Sequence, residues 1–174
     1  MKKLRIANYE LRIVILFVVI STILSACSYS FTGSSVPPHL KTVAIPLFND
    51  ESGFGEPNLR EQFTNEMIKR VQDDNSLQIA EKDVADATLE CSIKSVKDEP
   101  AVVNPGETVS KRKVTMSVSA IFYDKTLKKK MWEKTFSNWG NYETSSGIAQ
   151  RTEGITEARD KIIESILLET VSGW

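Results

Sequence analysis

The sequence predicts an α+β fold, in which two helices pack on one face of a mainly antiparallel four- to five-stranded sheet as a two-layer sandwich. Between residues 87 and 139, apolar and polar residues alternate along several segments, which is typical of strands with one buried face. Two other segments have apolar residues at helical spacing, and these residues are Leu59, Phe63, Met67 and Val71, then Ile155, Ala158, Ile162, Ile166 and Leu167. Each helix therefore has one apolar stripe to bury against the sheet.

The elements of the first half follow from local signals. Residues 42–48 form a β-branched, apolar run that predicts a strand, and Pro46 indicates an edge, an end or a bulge in it. Asn58 with Glu61 three residues later resembles a capping box, which predicts a helix over residues 58–73. A short strand is expected over residues 77–80 and a half-buried strand over residues 87–94.

The second half begins with a predicted long loop at residues 97–110, which contains two prolines and a glycine. Residues 114–122 show the clearest alternation in the chain and predict a strand, and a turn at 124–129 joins it to a strand over 131–139. The helical stripe after residue 155 predicts a C-terminal helix that Gly173 ends. Cys91 lies on the apolar side of its strand, so we expect an inert core residue.

Residues 1–26 have the features of a signal peptide. Four basic residues precede an apolar run at 13–24, and this run is shorter than the roughly 20 residues that span a bilayer as a helix. The run ends at Leu24-Ser25-Ala26-Cys27, which resembles the lipobox of bacterial lipoproteins. An ordinary cleavage site with a cysteine beside it is the alternative. The sequence therefore predicts a signal peptide at 1–26, a lipidated tether at 27–40 and one domain at 41–174.

A lipidated Cys27 implies attachment to a membrane, because two or more acyl chains hold a protein stably on a bilayer. Ser28 after the cysteine resembles the enterobacterial signal for the outer membrane. Removal of residues 1–26 takes away four basic residues and one acidic residue, so the mature chain has a formal net charge of −4. Cys91 then remains as the only free thiol, and no internal disulfide is possible.

Several classes of chemistry lack the residues they need. The chain has one histidine, His39, and one cysteine beyond Cys27, so a zinc site or a Ser-His-Asp triad would depend on His39 alone. His39 stands beside two prolines and is expected to belong to the tether. Gly53-Phe54-Gly55 lacks the third glycine of a dinucleotide loop and the lysine of a phosphate loop. We therefore expect no metal, no cofactor, no nucleic-acid partner and no enzymatic activity.

Further motifs carry a resemblance to a known family. An aromatic-rich segment at 29–33 follows the lipobox cysteine, Leu40-Lys41-Thr42-Val43-Ala44-Ile45-Pro46 leads into the first strand, and Ala85-Asp86-Ala87-Thr88-Leu89 leads into a later one. Together with the order of strands and helices, these motifs resemble the LptE family of lipopolysaccharide-assembly lipoproteins. The resemblance covers most of the mature chain.

The resemblance implies a structural and binding role on the periplasmic side of the outer membrane. Lipoproteins of the LptE type sit inside the β-barrel LptD, plug it, assist its assembly and bind lipopolysaccharide. A plug needs a polar surface that matches a polar barrel interior. The candidates for the barrel interface are the short hydroxyl residues of the long strand and two aromatic residues near the next one: Thr115, Ser117, Ser119, Trp139 and Tyr142. Core packing is the alternative for the aromatic residues.

Lipopolysaccharide carries phosphates, so a binding site should contain clustered basic residues. One candidate cluster crowds the hairpin turn and consists of Lys125, Lys128, Lys129 and Lys130. A second cluster, Lys111, Arg112 and Lys113, opens the long strand, on the order of 40 Å away at the rise of an extended strand. Arg112 is the better bidentate phosphate partner, and the turn is the better cluster overall. Charges that keep turns and strand ends soluble are the alternative for both clusters.

A second hypothesis comes from a different class of protein. The strand motif at residues 43–48 also occurs in other envelope lipoproteins, which activate a cell-wall synthase or a secretion pore. Such an adaptor would never meet lipopolysaccharide. The proteins that purify with this chain distinguish the two hypotheses.

Overall fold

The computed structural model describes residues 36–101, 111–144 and 148–172. Within these ranges the chain forms six strands and two helices. The strands are β1 (Thr42–Ala44), β2 (Asn49–Asp50), β3 (Gln78–Ile79), β4 (Ala87–Pro100), β5 (Lys111–Asp124) and β6 (Lys129–Glu143). The helices are α1 (Leu59–Asp74), between β2 and β3, and α2 (Ile148–Ser172), after β6. The predicted α+β class is confirmed.

The sheet differs from the prediction in direction and size. Over the described residues it has six strands in the order β3-β1-β4-β5-β6, with β2 paired to β4 off this path. β1 runs parallel to both β3 and β4, and β2 runs parallel to β4. The predicted mainly antiparallel sheet of four to five strands is therefore corrected to a mixed one. Parallel neighbours need a long crossover connection, and α1 supplies one that the side-chain alternation could not reveal.

The strand predicted over residues 42–48 forms only at its start, where β1 covers Thr42–Ala44, and β2 follows at Asn49–Asp50, beyond the predicted range. Pro46 lies between them, and a proline has no N–H with which to continue the ladder. The backbone of Phe48 bonds to α1 instead: its N–H donates to Oγ1 of Thr64 at 3.0 Å, and its carbonyl accepts from Nε of Arg60 at 2.9 Å. Helix α1 therefore satisfies backbone groups that the interrupted strand leaves unpaired.

Both helices pack on the same face of the sheet. The buried apolar residues of α1 are Leu59, Phe63, Met67 and Val71, as predicted. Those of α2 include Ile155, Ala158, Ile162, Ile163 and Ile166. They form one core with the inward side chains of β5, which are Val114, Met116, Val118, Ala120 and Phe122. The two predicted apolar stripes therefore meet in a single hydrophobic core.

Helix α1 begins without the capping box predicted for Asn58 and Glu61. Asn58 has φ 56° and ψ 20°, in the left-handed region, and its side chain makes no capping hydrogen bond. A capping side chain reaches the first turn from an extended backbone, which Asn58 does not have. The carbonyl of Asn58 instead accepts a hydrogen bond from the N–H of Gln62 at 2.9 Å. The start of the helix is predicted correctly, but the mechanism is wrong.

The long loop predicted at residues 97–110 is partly strand. β4 continues to Pro100, which lies opposite Arg112 of β5. The loop prediction is therefore wrong for residues 97–100, because pairing with β5 outweighs the weak strand signals of that segment. Residues 102–110 lie outside the described part of the chain.

Helix α2 crosses β6 where both elements carry a glycine. A Cβ atom on Gly140 would lie 2.1 Å from the carbonyl oxygen of Gly154 and 3.0 Å from the backbone nitrogen of Ala158. Because real side chains cannot approach backbone atoms so closely, this crossing requires glycine at position 140. The crossing brings the backbone of α2 into close contact with β6, at the edge of the sheet.

Side chains of α2 bond to the backbone of β6 beside this crossing. The N–H of Asn141 donates to Oε2 of Glu157 at 2.9 Å, and Nζ of Lys161 donates to the carbonyl of Trp139 at 3.1 Å. β6 is an edge strand, and edge strands present unpaired backbone groups. Glu157 and Lys161 satisfy two of these groups.

Candidate functional site

The face of the sheet that lies opposite the helices carries a patch of short hydroxyl side chains. The predicted residues of β5 are half-buried there, in alternation with the core residues of the same strand. The register brings hydroxyl residues of β4 and β6 beside them. This set is named the hydroxyl face and consists of Ser92, Ser95, Thr115, Ser117, Ser119, Thr135 and Ser137.

The hydroxyl face is arranged in cross-strand rows. Ser117 lies between Ser95 and Ser137, and Ser119 lies between Ser92 and Thr135. Directly opposed side chains in an antiparallel sheet lie about 5 Å apart, so each row is a continuous line of hydroxyl groups. Each hydroxyl can donate and accept a hydrogen bond. The patch therefore suits a close, polar partner surface.

A β-bulge in β4 places Ser95 on this face. The register shifts between Ile93 and Ser95, so one extra residue stands on β4. Buried positions accordingly change from odd numbers, at Cys91 and Ile93, to an even one, at Val96. The break in alternation along residues 91–96 is the sequence signal for this bulge. The hydroxyl partners of Ser117 and Ser119 on β4 and β6 have no such signal, because the register between strands is not readable from one strand.

Trp139 stands beside the hydroxyl face at the edge of the sheet. It is 44% exposed and lies opposite Thr115. Nζ of Lys161 lies 4.6 Å from the centre of its ring, in a cation–π contact that fixes the ring against α2. Trp132, by contrast, is buried and stacks on Phe122 with ring centroids 5.9 Å apart. Of the two tryptophans in the described part of the chain, Trp139 is therefore accessible and Trp132 belongs to the core.

Tyr142 lies on the buried side of β6 and apart from the other interface candidates. Its side chain is 8% exposed, and its hydroxyl donates to Oδ2 of Asp98 at 2.7 Å and accepts from Nε of Arg112 at 3.0 Å. Burial and the Asp98 carboxylate raise the pKa of this hydroxyl. The alternation puts even-numbered residues of β6 toward the helices, so Tyr142 faces the core, and its contact with a barrel stays a prediction.

Arg112 is bound within the same cluster. Its Nε lies 2.8 Å from Oδ1 of Asp98, and its Nη2 donates to the backbone carbonyl of Asp98 at 3.0 Å. Binding of a phosphate to the Nε edge of this guanidinium would require the ion pair with Asp98 to break. These contacts give Arg112 a structural role, and its binding of phosphate stays a prediction.

The lysines of the β5–β6 turn differ in their contacts. Lys125 donates to the carbonyl of Lys82 and, at 3.3 Å, to that of Asp83. Nζ of Lys130 lies 2.5 Å from Oε2 of Glu133. Among the described residues, the ammonium groups of Lys128 and Lys129 make no ion pair. These two exposed charges are the free cations of the turn.

The second basic cluster lies at the other end of the β5–β6 pair. Lys111 is opposite Glu143, whereas Asp124 at the turn is opposite Lys129. Lys113 is half-buried beside Asn141 on the next strand. The two basic clusters therefore lie apart in the structure, and this separation agrees with the one predicted from the strand length.

The turn lysines lie at the end of the domain where the tether joins it. Nε2 of His39 lies 2.6 Å from Oδ2 of Asp124. Asp86 accepts hydrogen bonds from the N–H groups of Lys41 and Thr42, both at 3.0 Å. The two strand-leading motifs of the sequence analysis are therefore in contact through Asp86. This region is named the tether end and comprises residues 36–41, 81–86 and 124–130.

The two cysteines have different outcomes. Cys27, the predicted lipidation site, lies outside the described residues. Cys91 is a free, buried thiol whose pKa is raised by burial, so the expected inert core residue is confirmed.

Within residues 36–101, 111–144 and 148–172, no three metal-ligating side chains come together. Over the same part of the chain, no helix is long and apolar enough to cross a bilayer.

Comparison with protein families finds a match over most of the domain. A family model described as LptE: Lipopolysaccharide-assembly matches residues 40–170. No curated protein matches the chain.

Solved structures share the fold at low sequence identity. The hypothetical protein CT253 from Chlamydia trachomatis has a TM-score of 0.57 and 13% identity over 76% of this chain and 96% of that one. Protein XCC0632 from Xanthomonas campestris has a TM-score of 0.58 and 10% identity over 78% and 88%. The PelC dodecamer from Paraburkholderia phytofirmans has a TM-score of 0.54 and 12% identity over 80% and 93%. These similarities establish the architecture alone.

Proposed function

Because the chain belongs to the LptE family of lipopolysaccharide-assembly proteins, we propose that it is an outer-membrane lipoprotein subunit of the lipopolysaccharide transport translocon. In this role it plugs a β-barrel of the LptD type from the periplasmic side, assists the assembly of that barrel and binds lipopolysaccharide. Acyl groups on Cys27 hold it at the membrane. Its task is binding and positioning rather than catalysis.

The hydroxyl face is the observation that carries the proposal. The barrel of a transport channel has a polar interior, and a plug must match it with hydrogen-bonding groups. Ser117 and Ser119 stand at the centre of two hydroxyl rows on three long paired strands, while both described helices lie on the opposite face. Short side chains on a paired sheet lose little entropy on docking, which favours a tight interface.

Lipopolysaccharide binding is proposed for the β5–β6 turn. Lys128 and Lys129 are exposed and have no anionic partner among the described residues, whereas Arg112 is bonded to Asp98. Ammonium groups that are free of partners can take the phosphates of the lipid without breaking an existing ion pair. This assignment leaves Lys111 and Lys113, at the far end, outside the site.

Photo-crosslinking in cells tests the barrel interface. A photoreactive residue is placed at Ser117 or Thr135 of the hydroxyl face, and at Leu168 of α2 as the matched control. Leu168 is 55% exposed on the opposite layer. We expect crosslinks to the barrel from the first two positions and weak or absent ones from Leu168. Crosslinks from Ser117 to a cell-wall synthase or a secretin would refute the proposal and support the adaptor hypothesis.

Mass spectrometry of the mature protein tests the anchor. A start at Cys27 with attached acyl chains is the expected product. An unmodified start elsewhere in the chain contradicts the membrane attachment.

A further inference from the structure

We propose that the tether end of the domain rests on the phospholipid surface that holds the acyl chains of Cys27. In this arrangement Val84 and Leu127 contact the interfacial region of the bilayer, and Lys128 and Lys129 face anionic headgroups. The inference rests on the lipid anchor of the proposed function. It concerns the phospholipids around the anchor, which face Lys128 and Lys129 while these lysines hold no lipopolysaccharide.

The length of the tether sets how far this end can stand from the membrane. Nine peptide units separate Cys27 from Val36, where the described chain begins, so the extended reach is at most about 30 Å. From Val36 the chain is fastened to the turns of the tether end by His39 on Asp124 and by Lys41 on Asp86. The described chain therefore enters the domain at this end.

Two large aliphatic side chains are exposed at this same end. Val84 is 74% exposed and Leu127 is 60% exposed. Lys125 holds their turns side by side, since its N–H donates to the carbonyl of Asp86 at 2.9 Å and its Nζ donates to that of Asp83. A single exposed aliphatic residue is ordinary, but two at the tips of adjacent turns, flanked by lysines, match the pattern of an interfacial contact.

The charge of the β5–β6 turn complements an anionic bilayer. It carries Lys125, Lys128, Lys129 and Lys130 against one acid, Asp124. The carboxylate of Asp124 is fully buried and is already bonded to His39 and to the N–H of Leu127. Lysines close to a membrane surface are attracted by anionic lipids, and free ammonium groups respond most. The 81–86 turn carries three acids against one lysine, so the positive charge of the tether end lies on the β5–β6 turn.

Site-specific fluorescence quenching tests the contact on the full-length lipoprotein. Val84→Cys and Leu127→Cys each add one reactive thiol, since Cys91 is buried. Leu168→Cys on α2, at 55% exposure, is the control. The labelled proteins are placed in phosphatidylcholine–phosphatidylglycerol vesicles that carry nitroxide headgroups and no lipopolysaccharide. We expect labels at 84 and 127 to be quenched several-fold more strongly than the label at 168. Equal quenching at the three positions overturns the inference.

The contribution of charge is tested in the Leu127→Cys protein. Lys128→Glu with Lys129→Glu should reduce quenching in the anionic vesicles and leave it unchanged in pure phosphatidylcholine. Lys111→Glu with Lys113→Glu, at the far end of the strands, is the control and should leave quenching unchanged in both. Equal effects of the two double variants would contradict the assigned orientation.

Further arms separate this inference from the proposed function. Quenching that occurs only after lipopolysaccharide is added would assign the surface to that lipid, overturning the inference while leaving the proposed function in place. If the labels at 84 and 127 are quenched but no barrel purifies with the protein, the inference holds while the proposed plug fails. An unacylated Cys27 would remove the anchor on which both depend.

Discussion

Nε2 of His39 lies 2.6 Å from Oδ2 of Asp124, and this contact joins residues 85 positions apart in the chain. Asp124 is fully buried at the end of β5, where its other carboxylate oxygen accepts the N–H of Leu127 at 2.8 Å. Burial alone would raise the pKa of Asp124, but these hydrogen bonds outweigh it and lower the pKa. The link therefore fastens the tether to the β5–β6 turn.

Replacing His39 by alanine should destabilise the domain. The buried carboxylate of Asp124 would lose a donor, and such a loss costs about 1–3 kcal/mol. His39→Gln is the control, because an amide can donate a hydrogen bond and should recover part of the stability. Urea unfolding of both variants measures the difference. If His39→Ala unfolds at the wild-type midpoint, the link contributes nothing.

Asp86 predicts a dependence of stability on pH. Hydrogen bonds from the N–H of Lys41 and the hydroxyl of Thr42 lower its pKa below the ordinary value of 3.8. The unfolded state therefore takes up a proton first, and the stabilisation present at neutral pH is lost as the pH falls through the lowered folded value. The stability gap between wild type and Asp86→Asn should be largest at neutral pH and shrink in acid.

Chemical unfolding across the acid range measures this gap. Asp83→Asn, which changes an exposed carboxylate of the same turn, should show a small gap throughout. A gap for Asp86→Asn that stays constant into strong acid would contradict the assigned hydrogen bonds.

Gly140→Ala should strongly destabilise the domain. Its added Cβ would meet the backbone of α2 at 2.1 Å, so helix and strand must separate, at an expected cost of about 3 kcal/mol or more. Gly154→Ala is the matched control at the same crossing. Its Cβ would meet Cδ1 of Tyr142 at 3.0 Å, and alanine favours the helix by about 1 kcal/mol, so the net change should be small. Equal thermal stability of the two variants would refute this account.

Replacing Lys128, Lys129 and Lys130 by alanine should weaken lipopolysaccharide binding with little loss of stability. These side chains are exposed, and surface substitutions usually change the unfolding free energy by less than about 0.5 kcal/mol. Titration at low salt measures the effect, because ions screen exposed charges. Lys111→Ala with Lys113→Ala is the control and should bind normally. Undiminished binding by the triple variant would exclude the turn from the site.

Local pattern predicted much of the fold and part of the site. The four-residue spacing in α1 and the alternation in β5 identified the buried faces, and they placed Ser117 on the open face and Cys91 in the core. These features depend on the geometry of one helix or strand, which a short stretch of sequence contains. Strand direction, the bulge in β4 and the partners of Ser117 were not accessible in this way.

The contacts of Arg112 and Tyr142 share one origin that the sequence does not show. Arg112 and Tyr142 were chosen by residue type, but the register brings both to Asp98, which lies on a third element. Such a cluster depends on the separation of side chains in space, and no spacing along one strand encodes it.

Taken alone, the sequence established which segments are helical or extended and which of their faces are apolar, and it predicts a lipobox at Cys27. Folding established that β1 and β2 run parallel to β4, that His39 reaches Asp124, and that Gly140 is needed where α2 crosses β6. The first group follows from backbone periodicity within a few residues. The second follows from free energies of contact between distant residues, which exist only once the core has brought them together.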